Sequence, residues 1–214
     1  MKICLVSIIA SHYRRRIYQL IDNYFSCTFI FGKENTTIRQ LDLNMFNDAI
    51  EVPNVYIKNT NWYYQPQLGK ITKQYDIIIN DLGIFCLSSW LILILAKFRK
   101  QKVYHWDHGW YGRESIIKKW VKRLYFGLAD GAFIYGNYAR NLMIENGFDS
   151  NKLHVIHNSL DYDEQLTIRN DVKLSNIFSN HFGNSFPVIC FIGRLTPIKK
   201  LDLIILQLSV VQLR

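Results

Sequence analysis

The chain has no hydrophobic run long enough to cross a bilayer; the longest, Ile84 to Ala96, is 13 residues. Its N-terminus, "MKICLVSIIASHYRRR", lacks the basic n-region and small-residue cleavage site of a signal peptide, so the apolar start reads as a first core strand. The four cysteines, Cys4, Cys27, Cys86 and Cys190, form no C-x-x-C pair. That spacing excludes the usual zinc frameworks and argues against disulfides, leaving four buried thiols in a reducing, cytoplasmic compartment. No internal repeat or low-complexity tract is present. Acidic residues are scarce: 17 Asp and Glu stand against 26 Lys and Arg, for a net charge of +9.

What is present describes a globular chain. Hydrophobic residues make up 49% of 214, enough for a sizeable core but short for two domains of ordinary size. Short apolar segments without alternation ("KICLVSII", "CTFIFG", "YDIIIND", "KVYHW", "GAFIYG", "KLHVIHN", "FPVICFIG") are separated by helical stretches at about Tyr13–Tyr24, Ile84–Lys100, Glu114–Gly127 and Tyr138–Asn146. "AIEVPNVYIK" reads as one further strand, and 161–184 as a polar bridge. Such strands are buried on both faces, which predicts an α/β fold with a doubly wound parallel sheet.

In an open parallel sheet, ligands bind beyond the carboxyl ends of the strands. After the first strand comes "ASHYRRR", which has none of the glycines of a dinucleotide or Walker loop. Ser11 stands where it can cap the next helix, and His12 or Arg14 where they can face a ligand. An ordinary basic helix start accounts for them equally well. After "KVYHW" comes "DHGWYG". His105, Asp107 and His108 cannot converge on one metal from an extended segment, so this cluster reads as a polar substrate site rather than a metal centre. In "HNSLD", Asn158 and Asp161 read as a turn leaving the sheet. At the end, Arg194 closes a strand and Lys199 opens a helix behind Pro197, a combination suited to a diphosphate.

The charge is concentrated. Nine Lys and Arg against Asp107 and Glu114 give +7 between Lys97 and Arg123. "SIIKKWVKRLYFG" sets Lys118, Lys119, Lys122 and Arg123 around Trp120, as helices at a membrane surface do. Nucleic acid would also suit the charge, but no helix-turn-helix, RRM or KH signature accompanies it, so no nucleic-acid partner is expected. A solvated helix face remains the simplest alternative.

Taken in order, "HWDHG", "ADGAFIYGNYARNLMIENGFDSNKLHVIHNSLD" and "FIGRLTPIKKLDLII" resemble family-4 glycosyltransferases of the GT-B fold, from about residue 100 to the end. The resemblance implies two Rossmann-like domains and retaining transfer of a sugar from a nucleotide-sugar donor to a hydroxyl acceptor, a sugar or a lipid-linked one. It implies that Arg194 and Lys199 bind the donor diphosphate, with no metal or cofactor, and that His108 lies by the sugar. Ser11 to Arg14 would occupy the place of a usually glycine-rich loop. On this resemblance, 1–165 is the acceptor-side domain, 166–185 the bridge, and 186–214 the first strand and helix of a donor domain left incomplete. The E-x7-E pair of such enzymes is missing, since no acidic residue follows Asp202. The expectation is therefore a shortened or split enzyme needing a partner chain, or a non-catalytic acceptor-binding module at the inner face of a membrane.

Overall fold

The computed structural model describes residues 1–34, 38–158, 161–173, 175–193 and 195–212, the side chains of the last helix only as far as residue 207. The chain divides into two compact units, Met1–Thr167 and Ile168–Arg214. The first holds nine strands: β1 Ile3–Ser7, β2 Thr28–Lys33, β3 Ala49–Pro53, β4 Val55–Tyr56, β5 Tyr63–Tyr64, β6 Ile77–Asp81, β7 Lys102–Asp107, β8 Gly131–Ile134 and β9 Leu153–Val155. Its helices are α1 Arg15–Phe25, α2 Leu68–Ile71, α3 Leu87–Arg99, α4 Ile116–Leu128 and α5 Asn137–Glu145.

Seven strands form one sheet in the order β3-β2-β1-β6-β7-β8-β9, every neighbouring pair parallel. The expected doubly wound parallel sheet is present. "AIEVPNVYIK" is not one strand: β3 joins the sheet, while β4 pairs antiparallel with β5 in a separate two-stranded ribbon.

The order reverses between β1 and β6. Connections to the left of that point and to the right of it, all right-handed, must lie on opposite faces of the sheet. Accordingly α1 packs through Tyr18 against Phe29, Phe31 and Phe46 on one face. On the other face α3, α4 and α5 bury Ile92, Leu93, Tyr125, Phe126 and Met143 over Cys4, Val6, Ile78 and Val103. Alternation along each strand divides the two: Val103 and His105 of β7 face α4, whereas Tyr104 and Trp106 face the side of α1. A buried network fixes the α3–α4 layer, with Asn80 donating to Ser89 Oγ at 2.7 Å and Ser89 meeting Tyr125 OH at 2.5 Å.

The helix α6, Tyr162–Asp171, carries the chain out of the first unit, so the polar bridge is helical where a loop was expected. The second unit contains α7, Ile177–Phe182, a turn of 3-10 helix over Pro197–Lys199, and α8, Leu201–Gln212. Phe186–Gly193, expected as a buried strand, forms none. It is exposed along its length, because among the described residues no strand lies beside it to complete a ladder. Cys190 within it is consequently exposed, whereas Cys4, Cys27 and Cys86 are buried as expected.

Candidate functional site

The point where the strand order reverses is a crevice by construction, since the connections leave in opposite directions. Ser7 ends β1 and Asp81 ends β6, and the two are register partners across the reversal. Ser7 Oγ donates to Asp81 Oδ2 at 2.8 Å. Arg14 reaches the same oxygen through Nη1 at 2.5 Å and donates through Nη2 to the Tyr135 hydroxyl. Its guanidinium also lies 5.1 Å from the centre of the Trp106 ring. His108, the first residue after β7, sets its ring edge-on to Tyr135 at 4.6 Å and lies 5.9 Å from Tyr111. Ends of β1, β6, β7 and β8 thus converge on one cluster: Ser7, Arg14, Asp81, His108 and Tyr135.

The electrostatics follow from burial. The Arg14 and Asp81 side chains keep only 14% and 15% exposure. Burial pushes the Asp81 carboxyl up to about 6, against the opposing pull of Arg14 and the Ser7 hydroxyl. Arg14 is held above its ordinary value because the Asp81 charge outweighs its own desolvation. Burial also raises Asp107, while the Gly109 N–H, donating to it at 2.8 Å, pulls the other way. The guanidinium is committed to two internal partners, so Arg14 acts as a strut that fixes Tyr135 under His108. An incoming anion would have to compete with Asp81 for it.

The loop after β7 is shaped by its glycines. Gly109 (φ +75°) and Gly112 (φ +81°) take the left-handed conformation, and a Cβ on Gly112 would meet the Tyr138 hydroxyl at 2.9 Å. Close packing against α5, rather than against a ligand, requires glycine here. Glu114 accepts from the N–H groups of Tyr111 (2.8 Å) and Gly112 (3.0 Å) and pairs with Lys122 Nζ at 2.9 Å. Lys122 also donates to the Gly109 carbonyl at 2.9 Å.

The structure brings Arg14 and His108 to one place and separates the other expected residues from it. Ser11 is buried at the start of a short 3-10 turn, but its side chain makes no cap bond. Instead its backbone bridges to Gln40. His12 is exposed, its Nδ1 3.0 Å from the Arg39 carbonyl. His105 turns to the opposite face of the sheet, with Nε2 3.2 Å from the Tyr125 carbonyl; burial lowers it to about 4, so it is a neutral core histidine. Lys118, Trp120 and Arg123 are exposed and Lys119 is half-buried, whereas Lys122 is turned inward onto Glu114. Lys199 lies exposed in the 3-10 turn of the second unit. Arg194, with Ser159 and Leu160 of "HNSLD", lies outside the described residues. Among the described residues no three His, Cys, Asp or Glu are grouped to hold a metal ion. Nor is any helix long and apolar enough to cross a membrane.

Ser7, Asp81 and Tyr135 were not singled out in the sequence. The signal was there, because Asp81 closes "YDIIIND" and Tyr135 closes "GAFIYG", and the rule of testing the residue after each strand reaches both. Beside the cluster, on the α1 side, a groove of about 580 Å³ is lined by Ile77, Ile79, Trp106 and Phe133 together with Arg14. It is too apolar to be a diphosphate site.

Residues 47–164, more than half of the chain, match the family described as Glycosyltransferase Family 4. No curated protein is significantly similar to the chain. Among solved structures it is similar to HepE from Anabaena, crystallised with UDP (13% identity, TM-score 0.54, covering 86% of this chain and 50% of that one). It is similar too to the lipopolysaccharide outer core galactosyltransferase WaaB (14%, TM-score 0.50, covering 75% and 46%). A third is UDP-GlcNAc 2-epimerase from Neisseria meningitidis bound to UDP-GlcNAc (14%, TM-score 0.54, covering 79% and 50%). At these identities the likeness is one of fold. The chain spans about half the length of each of these proteins.

Proposed function

The chain belongs to Glycosyltransferase Family 4, with the Rossmann-like, GT-B type of fold, and on that premise we propose that it serves retaining sugar transfer from a nucleotide sugar to a hydroxyl acceptor. The observation that carries the reading is the cluster at the reversal of strand order, where His108 is exposed over a rigid base of Tyr135, Arg14 and Asp81. An imidazole held in this way donates to, or accepts from, a sugar hydroxyl without having to be ordered at the moment of reaction. Tyr135, its hydroxyl oxygen already accepting from Arg14, keeps its own proton to offer to the same substrate.

In this proposal Arg194 and Lys199 hold the donor diphosphate and stabilise the charge of the leaving nucleoside diphosphate, a role that needs no metal. Residues 1–165 form the acceptor side and 186–214 contribute to the donor side. HepE and the epimerase, crystallised with UDP and UDP-GlcNAc, support a uridine nucleotide as the first to try.

The test is thermal stability of the chain with UDP, GDP, CDP and ADP, with inorganic pyrophosphate as a control. Selective stabilisation by one nucleotide, lost in Lys199→Ala, supports the reading. Equal stabilisation by every anion, unchanged in Lys199→Ala, reduces the contact to general electrostatics and removes the nucleotide assignment. No stabilisation by any of them places the donor site outside these 214 residues.

A further inference from the structure

The outer side of the α3–α4 layer inverts the usual pattern of a surface. Helix α3 buries Ile92, Leu93 and Ala96, yet its opposite side exposes Leu87, Leu91, Ile94 and Phe98, one turn apart each and Phe98 82% exposed. A helix apolar all round normally lies inside a protein or a membrane. Helix α4, in the same layer, buries Tyr125 and Phe126 and exposes Ile116, Ile117, Trp120 and Leu124, with Trp120 72% exposed. Neither helix carries an acidic residue, while Lys97, Arg99, Lys118, Lys119 and Arg123 flank the two stripes. The face is therefore apolar along its centre and cationic around it.

We propose that this face docks on an anionic lipid bilayer, lying in the interface rather than spanning it. Charge decides between the occupants. A second copy seated on the same face would bring cations against cations with no carboxylate to pair with them, which is repulsive. A bilayer of anionic lipid supplies what the face lacks: phosphates for the lysines and arginines, and an acyl boundary for Phe98 and Trp120.

The placement also narrows the acceptor, a step that rests on the transferase reading. A cavity of about 540 Å³ is lined by Trp62, Phe85, Tyr111, Ile117, Lys118 and Val121. Ile117 and Lys118 belong to the exposed side of α4, and Tyr111 lies against His108. The cavity thus joins the docking face to the candidate site, and its lining suits an apolar chain that ends in an anionic group. The substrate class inferred is a lipid-linked acceptor, drawn from the bilayer with its hydroxyl presented to His108.

Co-sedimentation of the full chain with vesicles tests the docking. The probes are equal parts phosphatidylglycerol and phosphatidylcholine against phosphatidylcholine alone. Binding is expected to need the anionic lipid and to fall with salt. Phe98→Glu combined with Trp120→Glu should weaken it at least about tenfold, since each replaces buried apolar area with a repelled charge. Lys118→Gln with Arg123→Gln, which leaves packing untouched, should cost about fivefold per cation removed. Ile205→Glu, in the apolar α8, should leave it unchanged.

Binding without dependence on anionic lipid, or unaltered by both double variants, overturns the proposal. So does loss in Ile205→Glu alone, or a concentration-dependent dimer that Trp120→Glu abolishes. Nucleotide stabilisation measured on the same variants keeps the two readings apart: its absence with docking intact removes the donor assignment alone, and the converse removes docking alone.

Discussion

Replacing Arg14 with Met tests whether the candidate site is held together by the ion pair at its centre. The substitution keeps the length of the side chain but removes the 2.5 Å contact with Asp81 and the support of Tyr135. Breaking a buried pair by deleting one partner costs about 3–5 kcal/mol; with both side chains still about one-seventh exposed, the lower figure applies. For a unit of this size about 3 kcal/mol lowers Tm by roughly 6–12 °C at pH about 8. Dependence on pH gives the sharper check. In the native chain Asp81 titrates at about 6, above the 3.8 of an unperturbed carboxyl. A group raised in this way contributes stability that is full below about pH 4 and is lost as pH rises through about 6. Without Arg14, Asp81 must titrate higher still, and its loss moves to higher pH. The deficit of Arg14→Met should thus shrink between pH about 8 and about 5.5, as protonation removes the uncompensated charge. Circular-dichroism melts across that range measure it. A deficit of the same size at both ends would show that Asp81 does not feel Arg14 and would refute the account of the cluster.

Other expectations follow from the same geometry. Glu114 is held down at about 2 because the Tyr111 N–H and the Lys122 ammonium outweigh the effect of its burial, so its stabilisation is present above about pH 4.5 and lost as pH falls towards 2. In Glu114→Gln the acid limb of the stability curve should flatten below about pH 4.5, and an unchanged limb would dismiss this carboxylate as its source. His108→Ala removes an exposed ring, so Tm should move by less than about 2 °C while transfer to an acceptor falls about a hundredfold in kcat. Full activity in that variant would end the proposed role. Tyr125→Phe deletes the hydroxyl that Ser89 meets at 2.5 Å; Ser89 and Asn80 still satisfy each other, so about 1 kcal/mol and roughly 2–4 °C are expected, read by thermal melts. A thiol reagent should modify one cysteine rapidly in the native chain and none in Cys190→Ser, since the other three are buried.

Most of the sheet was legible because each central strand carries its own evidence. "KICLVSII" or "YDIIIND" is apolar enough to be buried on both faces wherever it lies, and the intervening helices force parallel pairing. Where that local evidence fails, the expectation failed too. "FPVICFIG" has the composition of a core strand but no neighbour among the described residues, and composition cannot supply a ladder partner. "AIEVPNVYIK" reads as one extended run, yet it divides between two sheets. The family was legible in the ordered motifs after residue 100, although the match itself runs over 47–164 and so begins far upstream of them.

By itself, then, the sequence determined the fold class, the burial of Cys4, Cys27 and Cys86, and the position of His108 at a strand's carboxyl end, all of which follow from hydrophobic pattern and element order. Tertiary structure decided the partnerships. Arg14, a basic residue at a helix start, becomes a buried strut only because strands 70 residues apart in sequence place Asp81 beside Ser7. Lys122, one cation in a run of cations, turns inward because the loop after β7 brings Glu114 beneath it. Which of several like charges is paired and which is free depends on distances of a few ångströms between segments remote in sequence, and those distances exist only once the chain has folded.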